Sequence, residues 1–362
     1  MASGSALKLL RPSLLALGAL ALTAGACSTS PRSPSATSSP TTSTTHPPRA
    51  GSVNLGFAGS TQLLNEQKIG PAFTAATGYA YQGQGGGAAA VAQFIKSGQY
   101  ASTVFESIGG GPIGILEPSF THYYVEFASS PLVIAYNPSG PFGSRLAAIA
   151  EGKKPIADLF TTMATNGFKL GRTDPNVDPQ GQGFLLMVAL AESQLHVSDT
   201  TVKALLANSQ TFAETGLESV LQSGQLDAAS AYLPQAVQMH LPYISLPNSI
   251  NLGNPKDAAR YATASITLTT PAGKVVTGTP LTLDVTTIDQ PGESEVDKAA
   301  SDAFVTYMLS PAGLAAYRAA GYTILTPTLY GSRSGIASSI LSEVHAFVPG
   351  PAASPTARST AG

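Results

Sequence analysis

The feature that most constrains this chain is a repeated local pattern: a short apolar run, a loop bearing Gly or Pro, then a stretch with helical spacing. Val53-Asn54-Leu55-Gly56-Phe57-Ala58 reads as a strand ended by Gly59-Ser60-Thr61. Leu64, Ile69, Phe73 and Ala76 follow near helical spacing, and Gly70-Pro71 is expected to break or kink that helix. Tyr79-Ala80-Tyr81 opens a second strand and leads into the glycine-rich stretch 83–87. Behind it, Ala88, Val91, Ala92 and Ile95 share one face of a helix. The pattern continues with a buried strand at 131–136, a short helix at 155–164 and a strand at 168–171. The loop 172–179 then opens onto an apolar helix at 181–191. Two more helical segments precede strands at 228–233 and 243–246, and 261–288 reads as strands. Two helices close the chain. Ser310-Pro311 supplies N-cap and first-turn proline to the second, and Gly321 ends it. This alternation predicts an α/β fold with mainly parallel pairing.

The N-terminus is a processing signal rather than fold. Lys8 and Arg11 precede an apolar run of 14 residues, 13–26. That is too short to span a bilayer, which takes roughly 20, but it suits a secretory signal peptide over residues 1–26. Cys27, the single Cys of 362 residues, stands at the end of the run after Ala24-Gly25-Ala26, and this resembles a bacterial lipobox. One Cys also excludes a disulfide framework and a multi-Cys metal centre. Residues 28–50 include 18 Ser, Thr or Pro among 23, a composition that cannot bury enough apolar surface to fold, so 27–50 is a tether. Residues 349–362 read as a low-complexity tail. The folded part, 51–348, carries 14 cations against 21 acids, a net charge of −7, although the whole chain is at −2. Neither value suits a nucleic-acid binder.

No catalytic constellation emerges. His46, His122, His196, His240 and His345 show no metal-ligand spacing, and P-loop, G-x-S-x-G and H-E-x-x-H motifs are absent. The expectation is a protein that is not an enzyme and holds no cofactor or metal. Three strand-to-helix loops do stand out: Gly59-Ser60-Thr61, Gly85-Gly86-Gly87-Ala88 and Asp178-Pro179-Gln180-Gly181. Helix N-termini present unpaired N–H groups and the positive end of the dipole. Such loops can bind an oxyanion with neutral donors, although each can equally be an ordinary tight turn.

Several stretches resemble the molybdate/tungstate-binding lipoproteins of ABC importers, the tungstate-type branch of the bacterial extracellular solute-binding proteins. The strongest is Gly171-Arg172-Thr173-Asp174-Pro175-Asn176-Val177-Asp178-Pro179-Gln180-Gly181, which looks like the family's G-x-x-D-P-N-x-D-P-x-G segment. Ser223-Gly224-Gln225-Leu226-Asp227, Tyr232, Leu246-Pro247-Asn248 and Leu309-Ser310-Pro311-Ala312-Gly313 follow in matching order. The resemblance implies a type II periplasmic-binding-protein fold, two α/β lobes around a ligand cleft. Lobe 1 would span 51–130 and 247–348, and lobe 2 would span 131–246. It implies an oxyanion ligand, an ABC permease with its ATPase, and attachment through Cys27 at the extracytoplasmic face of the cell membrane.

By the same resemblance, Ser60 and Thr61 fall in the first binding loop, and Gly86, Gly87 and Ala88 in the second. Tyr232 falls where a phenol reaches the anion, and Asp178 where a carboxylate meets the oxyanion's metal atom. Three departures stand beside this. The second loop lacks the family's Ser, Ser102-Thr103-Val104 replaces Ala-Asp-Val, and Ala231 stands where a second carboxylate, a Glu, is usual. Phosphate or a small organic solute therefore stays open as ligand, as does a surface sensor without transport. Asp178 as a plain helix cap, Tyr232 as a core aromatic, Ser60 as an N-cap and Arg172 in a salt bridge stay open as structural roles.

Overall fold

A computed structural model describes residues 46–270 and 272–350, all within one compact unit. The leader, Cys27, most of the tether and nearly all of the tail lie outside the described residues. In chain order the strands are β1 (Ser52–Ala58), β2 (Ala80–Gly86), β3 (Val104–Ile108), β4 (Tyr123–Ser129), β5 (Leu132–Tyr136), β6 (Leu170–Thr173) and β7 (Ser209–Phe212). There follow β8 (Ala228–Tyr232), β9 (Tyr243–Ser245), β10 (Ser265–Thr267), β11 (Val275–Thr277), β12 (Thr282–Thr287), β13 (Thr323–Gly331) and β14 (Ala346–Pro349). A seven-stranded sheet runs β14-β13-β4-β12-β3-β1-β2, and a five-stranded sheet runs β7-β6-β8-β5-β9. The chain leaves the large sheet after β4, builds the small one, and returns at β12 by way of the β10–β11 hairpin.

The pairing corrects the expectation of mainly parallel sheets. β1 pairs with β2 and β3 in parallel, as do β6 with β7 and β8, and β13 with β14. β12, however, pairs antiparallel with β3 and β4, and β5 pairs antiparallel with β8 and β9. Helical crossovers make parallel neighbours, whereas the strands at the two passages between sheets enter from the opposite end.

Local expectations hold where periodicity is strong. Ala88, Val91, Ala92 and Ile95 are all buried on the helix Ala88–Lys96. Ser310 closes the helix Glu295–Leu309 and caps Pro311–Ala319, accepting from Gly313 N–H. Two local readings change. Gly70-Pro71 does not break its helix. A π turn at Asn65–Ile69 widens the ring just ahead within the same helical run, which leaves room for Pro71 and its missing N–H. The glycine-rich stretch is not a loop up to Gly87, because β2 runs through Gly86 against β1. The Phe57 ring lies on Gly85, where a Cβ would come to 2.2 Å from it, so these glycines make room for the ring. The chain also continues past its two closing helices into β13, the helix Ser338–Glu343 and β14. Packing begins slightly before residue 51, since His46 N–H donates to Ala75 O.

Candidate functional site

The ends of β1, β2, β6 and β8 bring the singled-out loops together. β1 stops at Ala58, and a 3₁₀ turn over Gly59–Thr61 follows. In that turn Ser60 and Thr61 face opposite ways. The Thr61 hydroxyl is turned into the large-sheet core, 2.9 Å from Ala58 O and 3.0 Å from Glu106 Oε2, and also accepts from Asn65 Nδ2. The backbone N–H groups of Gly59 and Ser60 face the small-sheet side, and the Ser60 hydroxyl is buried without a partner.

Those two N–H groups already have an acceptor. Glu214 opens the helix Glu214–Gln222 of the small-sheet side. Its carboxylate accepts from Gly59 N–H at 2.9 Å and from Ser60 N–H at 3.0 Å. The approach is so close that a Cβ on Gly59 would lie 2.8 Å from Glu214 Oε2. A side chain here would push the Glu214 carboxyl away, so glycine permits the contact.

Around this contact the other residues gather. Asp178 ends the loop after β6 and caps the helix Pro179–Leu195, accepting from Gln180 N–H at 3.0 Å. It is 2% exposed, and its second oxygen, Oδ2, has no partner. Tyr232 ends β8, is 1% exposed, and its hydroxyl is also unpartnered. Gln235 Oε1 fixes the turn behind it, accepting from Tyr232 N–H and from Gln180 Nε2. Gly87 caps the helix Ala88–Lys96, and a side chain there would run into the Val177 carbonyl. The Ala88 methyl is buried, so only the first-turn backbone of this helix reaches the cleft. Glu214 lines two cavities. One, of about 360 Å³, also touches Gly86, Gly87 and Asp178, and the other, of about 150 Å³, touches Ser60 and Glu218. Arg172 turns elsewhere, donating to Ser209 Oγ and the Thr173 carbonyl.

The electrostatics follow from burial without cations. No ion pair among the described residues reaches Asp178, Glu214 or Glu218. Burial pushes the Asp178 carboxyl up to about 6, against the opposing pull of the Gln180 N–H. Burial likewise pushes Glu218 up to about 7. Burial first, and then the charge of Asp178, hold Glu214 well above the carboxylate range. Tyr232 stays a phenol for the same reasons, burial followed by the charges of Asp178 and Glu214, and so remains a hydrogen-bond donor. Among the described residues no group of three or more His, Cys, Asp or Glu is placed to hold a metal ion.

Glu214 and Glu218 were not singled out from the sequence, yet a signal for them exists. Residues 214, 217, 218 and 221 form the buried stripe of their helix. Two of those four positions are Glu, and acids on an otherwise apolar stripe mark a buried polar site.

Comparison with known proteins agrees with this architecture. The chain is 32% identical over 232 residues to a Haloferax volcanii protein named as an ABC transporter molybdenum-binding protein, spanning 64% of this chain and 71% of that one. It is 26% identical over 235 residues to the molybdate/tungstate-binding protein of Pyrococcus abyssi, spanning 59% and 65%. The periplasmic molybdate-binding protein of Azotobacter vinelandii superposes with a TM-score of 0.53 at 18% identity, covering 75% of this chain and 99% of that one, which shows a shared fold. The model of the bacterial extracellular solute-binding protein family matches residues 54–323, from β1 to the start of β13. With its two α/β lobes and a polar cleft built from loops of both, the chain belongs to the bacterial extracellular solute-binding protein family.

Proposed function

We propose that this protein is the receptor of an ABC importer, capturing an oxyanion, molybdate or tungstate first, and delivering it to the permease and its ATPase. One observation carries the reading. The Gly59 and Ser60 amides of one lobe meet Glu214 of the other, whose charge and that of Asp178 also bear on the buried, unpartnered Tyr232 hydroxyl, and this set supports a site of neutral donors. A tetrahedral anion takes several such donors at once, and enclosure strengthens each bond. The relatives named for molybdenum and for molybdate/tungstate support this choice of ligand. Binding would couple to hinge closure of the lobes, which presents a closed surface to the permease. Asp178, the second loop at Gly86, Gly87 and Ala88, and Ser60 and Tyr232 form the proposed ligand set. Thr61 supports the first loop from behind.

Titration calorimetry with molybdate, tungstate, sulfate and phosphate tests this. Binding of molybdate or tungstate well below millimolar, and tighter than sulfate, is expected. No binding tighter than millimolar by any of the four overturns it. A second reading, a protonated oxyanion such as hydrogen phosphate, is favoured by the free Asp178 oxygen, which can accept the ligand's proton. Phosphate preference in the same experiment would select it.

The proposal includes export by residues 1–26 and acylation of Cys27, which sets the protein at the extracytoplasmic membrane face on its tether. Stable anchoring takes more than one acyl chain at about 0.8 kcal/mol per buried CH₂. A Cys27→Ser variant is expected to leave the membrane fraction, and its retention there would exclude the anchor.

A further inference from the structure

We propose that Glu214 is the resident acceptor of the cleft: its carboxyl group occupies the Gly59–Ser60 amides in place of the oxyanion, so a ligand must displace it, and it thereby sets which anions the protein accepts. The inference rests on the oxyanion reading of this site and names the residue that competes there.

Three observations carry it. The first is the contact itself. Two oxygens of one carboxylate meet two successive backbone N–H groups at 2.9 and 3.0 Å, across the cleft, from a residue 154–155 positions away in the chain. This is how an anion sits on a glycine-bearing turn at the start of a helix.

The second is that the contact is poorly supported. Glu214 is 4% exposed and is held by the two amides, with the Ser60 hydroxyl beside it. The groups facing it are Asp178 before the helix Pro179–Leu195, Glu218 one turn along its own helix, and the phenols Tyr232 and Tyr322. No cation is among them. Burial and neighbouring acids favour the neutral form of Glu214, which is a weaker acceptor than a charged oxyanion, so such a ligand has an advantage in replacing it.

The third is what a tetrahedral ligand gains that Glu214 cannot. The Tyr232 hydroxyl is buried and unsatisfied while Glu214 holds the loop, and the Ser60 hydroxyl has only the Glu214 carboxyl to turn to. A ligand with four oxygens can take the two amides and also these donors. The two cavities that flank Glu214 give its side chain somewhere to go when displaced. A planar carboxylate ligand would gain little over Glu214, whereas a tetrahedral oxyanion can keep the Ser60 hydroxyl and add that of Tyr232.

The test compares wild type with Glu214→Ala, both confirmed as folded by circular dichroism, using two readouts. Calorimetry with sodium molybdate and sodium tungstate should show about tenfold tighter binding in Glu214→Ala, because a competing acceptor has been removed. Equal or weaker binding in the variant would overturn the inference. Hydrogen exchange of the segment 57–63 without ligand provides the second readout. Exchange should be at least about tenfold faster in the variant, since the Gly59 and Ser60 amides lose their acceptor. If no oxyanion binds either protein, the oxyanion reading fails, and exchange alone decides on Glu214. Unchanged exchange then refutes its hold on the loop, and accelerated exchange supports it.

Discussion

Two buried glutamates stand on either side of the first cleft loop, and they are used in opposite ways. Glu106 on β3 lies beneath the loop, fully buried in the large-sheet core. It accepts from the Tyr317 hydroxyl at 2.7 Å, from Asn65 Nδ2, and lies 3.0 Å from the Thr61 hydroxyl. Glu214 lies above the same loop with two amides, while its neighbours Asp178, Glu218, Ser60 and Tyr232 each keep an unsatisfied atom. Both Glu106 oxygens are met by side-chain donors and only Asn65 Oδ1 is left over there, so that network chiefly fixes structure, whereas the sparser set around Glu214 is where a ligand has something to gain. Burial raises both carboxyls, but around Glu106 three side-chain donors oppose the rise.

The largest expected effect that would break this comparison lies at Glu106. Glu106→Ala strands the Tyr317 hydroxyl and the Asn65 amide in the core, and should cost about 3–5 kcal/mol in chemical denaturation. A loss no larger than that of Glu214→Ala would end the distinction between the two sites.

Next comes pH. Burial raises Glu218 to about 7, so the folded protein holds that proton more tightly than the unfolded chain does. Its stabilising effect is complete below about pH 4 and is lost as pH rises through 7, by about 3 kcal/mol for a shift of this size. Denaturation of wild type between pH 5 and 8 should show stability falling with pH, and Glu218→Gln should flatten that slope. An unchanged slope would place the titration elsewhere.

Smaller still is Tyr232→Phe. Its hydroxyl has no partner among the described residues, so stability should move by less than about 0.5 kcal/mol while oxyanion affinity falls about tenfold. An unaltered affinity would remove Tyr232 from the ligand set.

The smallest effect sharpens the contrast within the loop itself. Thr61→Val should cost about 1 kcal/mol of stability through its lost contact with Glu106, and leave affinity within about twofold. A large affinity loss would put the Thr61 hydroxyl in the cleft after all.

Much of the local architecture was legible in the sequence. Helix faces such as 88–95, the Ser310 cap, and the three strand-to-helix loops follow from periodicity and from the hydrogen-bonding habits of Ser, Pro and Gly. Part of the site was legible for the same reason, since Ser60, Gly87 and Asp178 all stand at strand-to-helix junctions. Other features were not. Pairing direction depends on the end from which a strand enters its sheet, which no local pattern records. Thr61 looked like Ser60's partner until the turn sent its hydroxyl to the core. Glu214 and Glu218 drew no reading from the sequence, because acids on a helix usually face solvent and burial is a tertiary property.

The sequence by itself determined an α/β chain with glycine- and proline-bearing loops at strand ends and a folded part of net negative charge, because helix periodicity, capping and composition act over a few residues. Only the tertiary structure decided what those loops face. The contact between the Gly59–Ser60 amides and Glu214 joins residues more than 150 positions apart. Its energetics depend on burial, on missing cations and on unsatisfied neighbours, and these exist only once the two lobes have been brought together.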